Sequence, residues 1–491
     1  MIKPVIPVLV GVSLALLGCS DGNDNNNDEN GAAVTCSGTQ VNPVRLFLQQ
    51  LGSDRVIVKW RGNADDGPEA TNVCFGTDMA ALPASSKTAA TVTATGHSEV
   101  LLSGLEPGTA YYYSVGGAGA ADEAHQFRTA PVTGELPSDG NTRIWIVGDS
   151  GVGGTGDPES GYVRDGFMTF AKNNGDEPAD LFVMLGDNAY NQGTDMEHQG
   201  AVFDVYTDIL ATTPMWPTIG NHEMGSLGVS TSNSPNDYAI LGDGANGGPD
   251  PAPDSPMPYL NIFTLPTDGE VGGLPSGTEQ YYSFDYANVH IVSLDSQLSI
   301  RDADNRAAMM QWLKDDLMSN NQDWTIVIYH HPPYTKGSHD SDKELGGIDQ
   351  PIFAIREDFT PIFEQYGVDL AYAGHSHIYE RSYYINGNTG LSTTFDAATM
   401  AELNDMNMPA NGQGDEAYTQ IARDGMDDKV VYTVAGNGGK VTYTTEGYPH
   451  PANFFSQLEL GSVVIDLNAD QLEASFVDVN GAVLDSFVMT R

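Results

Sequence analysis

Five short motifs in the middle of the chain carry side chains that bind metal ions. In chain order they read GDSG, GDNAY, GNHE, VIYH and GHSH. Any one of them alone is weak evidence, because an Asp in such a position is often a turn former. Together they offer carboxylate, amide and imidazole groups, which are common metal ligands. The metal-capable residues are Asp149, Asp187, Asn221, His330, His375 and His377.

Each motif follows an apolar run of the kind that forms strands buried on both faces. The runs read RIWIV, LFVML, MWPTI, WTIVI and VDLAYA. In α/β sheets, ligands bind beyond the carboxyl ends of the strands, where the loops converge. Helix-like stretches between some of the runs include EHQGAVFDVYTDILATT, RAAMMQWLKDDLMSN and IFAIREDFTPIFEQYG. The alternation predicts a layered α/β domain whose strand ends bring the motifs together.

The two ends of the chain are β-rich. Between about Pro43 and Pro131, short β-branched and aromatic segments alternate with turns, which predicts a β-sandwich. Within it, LEPGTAYYY resembles the strand-entry signature of fibronectin type III domains. The last stretch reads as strands with a hairpin at Asn480 and Gly481. We expect it to complete or cover an edge of the α/β domain.

The chain is strongly acidic, with 21 basic and 66 acidic side chains among 491 residues and a net charge of −45. This balance argues against a nucleic-acid-binding surface, which needs clustered Lys and Arg. An anionic substrate would need local positive charge, and metal ions would supply it. The other interpretation of the acidity is solubility alone.

The N-terminus reads as an export signal. Lys3 precedes an apolar run from about Val5 to Leu17, which is too short to span a bilayer. The run ends in LLGC, which resembles a bacterial lipobox in which Cys19 is lipidated and becomes the mature N-terminus. The alternative is an ordinary signal peptide with a chance cysteine. With the lipobox, residues 1–19 are a lipoprotein signal peptide.

Residues 20–40 are polar and suit a flexible tether that holds the folded part away from a membrane. If Cys19 carries lipid, Cys36 and Cys74 are the cysteines that remain. In an exported protein they are expected to pair. The alternative is two free, buried thiols.

In their order, the five motifs resemble the series of the calcineurin-like metallophosphoesterases. The tyrosine of GDNAY and the sequence GHSHIYERS resemble the purple acid phosphatase branch. The resemblance covers residues 141–450 and departs from the family at no ligand position. It implies a fibronectin-like β-sandwich over 41–133, followed over 141–491 by a layered α/β domain, a β-sheet sandwich flanked by helices. Glu223 in GNHE, in place of the Asp of GNHD, is expected to affect specificity more than chemistry.

The resemblance implies two adjacent metal sites with Asp187 as a bridge. One site would use Asp149, Asp187, Tyr190 and His377, and the other Asp187, Asn221, His330 and His375. A phenolate, carboxylate and imidazole set suits Fe(III), whereas an Asn carbonyl with two imidazoles suits a divalent ion such as Zn, Fe or Mn. Metal-bound hydroxide would attack phosphorus in line, without a covalent enzyme intermediate.

Two further histidines are catalytic candidates. His222 resembles the family's imidazole that helps to protonate the leaving alcohol; the alternative is that it only orients a ligand. His339 is the next candidate to face the substrate, with a structural role equally open. Structural roles are expected for the remaining residues considered, with contact to the substrate as the alternative for Arg381; these residues are His331, Arg381, His198, His290 and His450.

These observations predict an exported phosphatase that hydrolyses small phosphate monoesters and is lipid-anchored to the outer membrane, on its periplasmic or cell-surface side. A phosphodiesterase or nucleotide-cleaving enzyme with the same metals is the nearest alternative, because the motifs specify the metals and not the leaving group. An adhesion or carbohydrate-binding protein would require a degenerate site, yet every expected ligand is present.

Overall fold

Over the residues described, the computed structural model contains four sheets, two in the N-terminal part and two in the larger C-terminal part. The described residues are 36, 40–65, 68–84, 86–93, 96–117, 124–151, 158–175, 178–223, 257–343, 349–420 and 428–491. The predicted signal peptide with Cys19, and most of the predicted tether, lie outside them. No helix among the described residues is both long and apolar enough to cross a membrane.

The N-terminal part is built from two four-stranded antiparallel sheets, in the orders β1-β2-β6-β5 and β4-β3-β7-β8. The strands are β1 (Phe47–Gln49), β2 (Arg55–Trp60), β3 (Asn72–Gly76), β4 (Ser86–Ala89), β5 (Thr91–Val92), β6 (Ser98–Ser103), β7 (Ala110–Val115) and β8 (Gln126–Arg128). In β6, Val100 and Leu102 are buried whereas Leu101 is exposed, as expected for one core-facing side. Cys36 is bonded to Cys74 of β3, so the predicted disulfide is confirmed.

The C-terminal part is built from two seven-stranded sheets. The strands are β9 (Thr142–Val147), β10 (Leu181–Met184), β11 (Met215–Pro217), β12 (Tyr282–Tyr286), β13 (Val289–Ser293), β14 (Trp324–Ile328), β15 (Leu370–Ala373), β16 (Tyr379–Ile385), β17 (Tyr418–Thr419), β18 (Val430–Ala435), β19 (Asn453–Gln457), β20 (Gly461–Leu467), β21 (Gln471–Asp478) and β22 (Val483–Thr490). Their orders are β11-β10-β9-β20-β21-β22-β17 and β12-β13-β14-β15-β18-β16-β19.

The strands that precede the motifs are parallel to one another within each sheet. β9, β10 and β11 run parallel in one sheet, and β14 runs parallel to β15 in the other. The C-terminal strands extend the first sheet, because β20 pairs antiparallel with β9 and β21 forms a hairpin with β22. The predicted role of the last stretch, completion of a sheet edge, is confirmed.

Helices and helical turns connect the strands. The α-helices are Glu159–Asn173, Asp195–His198, Thr207–Leu210, Pro258–Ile262, Ala303–Ser319, Gln350–Ala354, Thr360–Gln365 and Ala397–Met400. Single π-helical turns span Gln199–Phe203 and Ile355–Phe359, and 3-10 turns span Met79–Ala84, Ser392–Thr394 and Gly414–Glu416.

The helix Ala303–Ser319 agrees with its sequence pattern. The Asp302 carboxylate caps it by accepting backbone N–H groups, and Met309, Leu313 and Leu317 bury one face at a spacing of four. The other two helix-like stretches are broken into short helices and π turns. In the later one, a new helix begins at Thr360 with Pro361 in its first turn, because proline has no N–H with which to continue the preceding turn.

Candidate metal centre

The five motifs lie directly after strands of two different sheets. Asp149, Asp187 and Asn221 follow β9, β10 and β11, whereas His330 follows β14 and the GHSH motif follows β15. The carboxyl ends of both sets of strands therefore meet at one edge of the sheet sandwich. The open-sheet argument predicted the convergence, and the structure shows that two sheets contribute to it.

Three of the candidate ligands have left-handed backbone conformations. The φ angles of Asp149, Asp187 and His375 are 53°, 51° and 67°. Such conformations are uncommon outside glycine and persist only where the surrounding structure determines them. The glycines before the ligands permit close packing: a Cβ on Gly374 would lie 2.3 Å from Asp149 Oδ2, and one on Gly220 would lie 2.3 Å from Asp187 Oδ1.

The first group of ligand atoms surrounds the Tyr190 hydroxyl. It lies 3.0 Å from Asp149 Oδ1, 2.9 Å from Asp187 Oδ2 and 3.2 Å from His377 Nε2. His377 Nε2 in turn lies 3.4 Å from Asp149 Oδ1. The structure therefore brings together all four residues predicted for the first metal site.

The second group surrounds Asn221 Oδ1. This oxygen lies 3.0 Å from His330 Nε2 and 2.9 Å from His375 Nδ1, and the two nitrogens are 3.3 Å apart. His330 Nε2 also lies 3.3 Å from Asp187 Oδ2. Because that oxygen also contacts Tyr190 of the first group, Asp187 is the residue common to both groups, as predicted for a bridge.

The donor chemistry of both groups fits a metal ion. His330 Nδ1 is 2.9 Å from the Leu185 carbonyl, to which it donates, so its Nε2 presents a lone pair to the Asn221 oxygen. In the same way, His375 Nε2 lies 2.9 Å from Asp349 Oδ1, which leaves the Nδ1 lone pair facing the group. Ligand atoms bound at about 2.1 Å would stand roughly 3 Å apart, close to the spacings found.

Burial and the carboxylates of the site shift the pKa values of two predicted ligands. Burial and the carboxylates of Asp149 and Asp187 raise the pKa of the Tyr190 phenol. Burial opposes charge on His330, but Asp187 and Asp149 outweigh it and raise the pKa of this imidazole to about 9. A metal ion reverses both preferences, because it favours phenolate and neutral imidazole as ligands.

Two carboxylates outside the predicted site support it. The Glu223 carboxylate, which is fully buried, accepts N–H bonds from Asp187, Asn188 and Gly220 at 2.6 to 2.9 Å. It holds the backbone of the ligand loops and does not face the solvent, and the expected effect of Glu223 on specificity stays a prediction.

Asp349 is the residue that the sequence analysis missed. Its Oδ1 lies 2.9 Å from His375 Nε2 and 2.7 Å from His339 Nδ1. Burial opposes the charge, yet hydrogen bonds from His339 and His375 keep the pKa of Asp349 well below its usual range. No motif includes Asp349; its position ten residues after His339 gives no signal of the contact.

The two catalytic candidates lie beside different groups. The His222 ring lies 4.1 Å from the Tyr190 ring, and its Nδ1 lies 2.8 Å from the Asn191 carbonyl. The His339 ring stacks on His375 at 3.8 Å. The His222 and His339 side chains are 20% and 21% exposed, so both reach solvent from beside buried ligands.

The residues expected to be structural are mostly enclosed. Arg381 forms a bidentate pair with Asp485 at 2.6 and 2.9 Å, and both side chains are buried. His331 Nδ1 lies 3.0 Å from Ser296 Oγ, and its ring lies 4.4 Å from that of His375. His331 therefore packs behind the second group.

Two family matches agree with this architecture. Residues 142–379 match the calcineurin-like phosphoesterase family. Residues 41–129 match the purple acid phosphatase N-terminal domain. Together the matches cover more than half of the chain. The chain therefore combines a purple acid phosphatase N-terminal domain with a domain of the calcineurin-like phosphoesterase family. This family implies a dinuclear metal site, and the two groups around Asp187 fit it.

Curated relatives of the chain come from plants and bacteria. Purple acid phosphatase 15 of Arabidopsis thaliana is 27% identical over 312 residues, which are 58% of this chain and 49% of the relative. Phosphoenolpyruvate phosphatase of Allium cepa is 28% identical over 297 residues, 58% of this chain and 50% of the relative. An uncharacterised Mycobacterium tuberculosis protein is 27% identical over 315 residues, 60% and 52% of the two chains. The chain thus spans about half the length of these relatives.

Solved structures share the fold. Purple acid phosphatase PPD1 from yellow lupin seeds superposes with a TM-score of 0.62 at 19% identity, covering 92% of this chain and 75% of the lupin chain. PhoD superposes with a TM-score of 0.59 at 15% identity, covering 92% and 91% of the two chains. The predicted fold class, a β-sandwich followed by a layered α/β metallophosphoesterase domain, is confirmed.

Proposed function

We propose that this protein is an exported dinuclear-metal phosphatase that hydrolyses phosphate monoesters. The observation that carries the proposal is the position of Asp187 Oδ2, 2.9 Å from the Tyr190 hydroxyl and 3.3 Å from His330 Nε2. One carboxylate oxygen thus joins two sets of ligands, as a pair of ions requires. When bound, two such ions polarise phosphate oxygens and lower the pKa of water.

Fe(III) is the ion proposed for the group that contains Tyr190, and Zn, Fe or Mn in the divalent state for the group that contains Asn221. The first set is hard and anionic, and the second has one amide oxygen and two imidazoles beside the shared carboxylate. Both ions add positive charge to a chain of net charge −45. They are therefore the proposed source of attraction for an anionic ester.

His222 is the proposed proton donor to the leaving alcohol. Its Nδ1–H donates to the Asn191 carbonyl, and its Nε2 lies 3.8 Å from Asp187 Oδ2, on the side of the ligands. This places the second ring nitrogen at the candidate site, with partial access to solvent. His339, held by Asp349 beside His375, is proposed to hydrogen-bond the bound phosphate.

The substrate class is tested by assaying the metal-loaded protein side by side on monoester, diester and nucleotide substrates. We expect the highest kcat/KM for monoesters, in line with the phosphatases among the relatives. A preference for a diester or a nucleotide would instead support the phosphodiesterase alternative. Loss of phosphate release from every ester, with both metals bound, would contradict the proposed function.

The identity of the first metal is tested by visible absorption. An Fe(III)–tyrosinate gives a broad band in the visible range, and we expect Tyr190→Phe to lose it while retaining most of its bound iron through Asp149, Asp187 and His377. An iron-loaded wild-type protein without the band would contradict the role of Tyr190 as a ligand.

Export and lipid anchoring remain proposals that rest on residues 1–19 and, for export, on the disulfide between Cys36 and Cys74. Disulfides persist mainly in oxidising compartments. The proposed location is the outer membrane, with anchoring through Cys19. We expect Cys19→Ser to abolish labelling with a radioactive fatty acid, and unchanged labelling would rule out the lipobox.

A further inference from the structure

The N-terminal β-sandwich is joined to the metal-binding domain through a carboxylate that two arginines share. Asp195, the first residue of the helix Asp195–His198, receives bidentate hydrogen bonds from both Arg45 and Arg61 of the sandwich. The Arg45 bonds measure 2.8 and 2.9 Å, and the Arg61 bonds measure 2.9 and 2.8 Å. Paired guanidinium–carboxylate contacts specify both position and orientation.

The Arg45 side chain is buried in this contact and forms further bonds there. The side chain is 0% exposed, and it also donates to the Asp195 carbonyl at 2.6 Å and to Gln199 Oε1 at 2.6 Å. Its guanidinium lies 4.9 Å from the centre of the Phe203 ring. Arg45 therefore binds both the Asp195 carboxylate and the backbone of the short helix. A Lys side chain could not form this set of bonds, because it lacks the planar, forked guanidinium.

The same short helix holds the loop that follows Tyr190. The Glu197 carboxylate accepts N–H bonds from Asn191 at 2.6 Å, Gln192 at 3.1 Å and Thr194 at 2.9 Å. Glu197 and Thr194 also form a reciprocal capping box at the start of the helix. The position of the helix therefore sets the position of residues 191–194.

That loop in turn orients His222. The Asn191 carbonyl accepts from His222 Nδ1 at 2.8 Å, which directs the other ring nitrogen toward Asp187. Gly193 packs so closely that an added Cβ would lie 2.6 Å from the His222 carbonyl. The His222 imidazole is thus oriented by the loop at residues 191–194. The sandwich positions this loop through the short helix Asp195–His198.

We propose that the N-terminal sandwich is a positioning element of the active site, acting through Arg45 and Arg61 on Asp195 and from there on His222. The inference rests on the proposed function, in which His222 protonates the leaving alcohol. Arg45 and Arg61 are positioning residues and touch no reacting atom. The sandwich contributes to turnover in this way.

The test compares two aryl monoesters in the metal-loaded, full-length protein. Phenyl phosphate has a poor leaving group that needs a proton, whereas 4-nitrophenyl phosphate has a good one that does not. We expect Arg45→Met to lower kcat for phenyl phosphate roughly tenfold more than for 4-nitrophenyl phosphate. Metal content and the visible band should equal those of the wild type, because the ligands are untouched.

Lys59→Met is the matched control. Lys59 is a buried cation of the sandwich that bonds Thr264 Oγ1 at 2.6 Å, and no contact with the loop at residues 191–194 is found for it among the described residues. We expect it to lower the melting temperature without changing the ratio of the two kcat values. An equal change in that ratio in Lys59→Met would attribute the effect to general loosening and overturn the proposal.

If Arg45→Met does not fold, Asp195→Asn tests the same contact. The Asp195 side chain is 46% exposed and asparagine has the same shape as aspartate, so we expect this variant to fold. It should shift the kcat ratio in the same direction as Arg45→Met. In the double variant, the shift should be smaller than the sum of the two. An unchanged ratio in folded variants would overturn the positioning role. Failure of the wild type to hydrolyse either ester would instead overturn the proposed function.

Discussion

Two buried histidine sites in the same domain show what distinguishes a metal centre from an ion pair. At His290, Nδ1 lies 2.7 Å from Asp285 Oδ1 and Nε2 lies 2.9 Å from Asp316 Oδ2. Both ring nitrogens donate, each to its own carboxylate. Around Asn221, the ring nitrogens of His330 and His375 instead present lone pairs to another acceptor, because their other nitrogens already donate elsewhere.

The difference lies in what balances the charge of the carboxylates at each site. Burial opposes charge on His290, but the hydrogen bonds to Asp285 and Asp316 prevail and raise its pKa to about 9, so the imidazolium satisfies its own site. Asp316 Oδ1 is satisfied as well, by the Leu274 N–H and the Ser283 hydroxyl, both at 2.8 Å. Burial opposes charge on His330 too, but Asp187 and Asp149 raise its pKa to about 9, and a metal ion from solution would take the place of that proton.

Asp187→Ala should have the largest effect on turnover. It removes the oxygen common to both groups, so we expect both metal sites to weaken. The loss in kcat/KM should exceed the roughly 100-fold typical for a residue that only supports a ligand. Metal analysis after dialysis, with phosphate release as the activity measurement, checks this.

Asp316→Asn is the corresponding change at the His290 site. It should lower thermal stability and leave metal content unchanged, because His290 contacts none of the seven predicted ligands among the contacts of the described residues. Full turnover in Asp187→Ala, or metal loss in Asp316→Asn, would contradict the distinction between the two sites.

Asp349→Asn should have an intermediate effect. The Asp349 carboxylate accepts from both His375 and His339, and an amide would not stabilise these donors as well. We expect a loss of about 10- to 100-fold in the affinity for the divalent ion or in activity. Titration of the metal-free protein with Zn²⁺ measures the first quantity directly.

Asp342→Asn serves as its control, because Asp342 is a nearby carboxylate that bonds Lys336 and Ser392 and contacts neither imidazole. Its Zn²⁺ affinity should equal that of the wild type. Equal affinity in Asp349→Asn as well would show that Asp349 does not support the metal site.

The smallest effect on turnover is expected at His290, where the measurable consequence is pH-dependent stability. The folded-state pKa, about 9, exceeds the usual value of 6.5. The stabilisation of the folded state by the charged His290 imidazole is therefore complete below about pH 6.5 and is lost as the pH rises through 9. The shift corresponds to about 3 kcal/mol.

Urea unfolding of the wild type and of His290→Gln at pH 6.5 and pH 9.5 measures this contribution. The difference in unfolding free energy between the two proteins should shrink at the higher pH. A constant difference would mean that His290 is neutral in the folded state. The metal centre should behave in the opposite way and weaken at low pH, where its imidazoles become protonated.

The sequence specified much of the fold and of the site because both depend on local patterns. Apolar runs that end in GDSG, GDNAY, GNHE, VIYH and GHSH mark strand ends, and the structure brings the seven predicted ligands together there. Their roles as ligands remain predictions, as do the domain boundaries 41–133 and 141–491. The helix Ala303–Ser319 was also visible, as the helix-like stretch RAAMMQWLKDDLMSN.

Only the tertiary structure decided which distant groups meet. Asp349 and the sandwich residues Arg45 and Arg61 carry no local signal, because an isolated Asp or Arg reads as solvated surface in any sequence. Glu223 was visible in its motif, but its burial beneath three backbone N–H groups was not. The sequence determined the metal-binding chemistry through residue types at strand ends, whereas the packing of two sheets and a sandwich decided which residues hold those ligands and His222 in place.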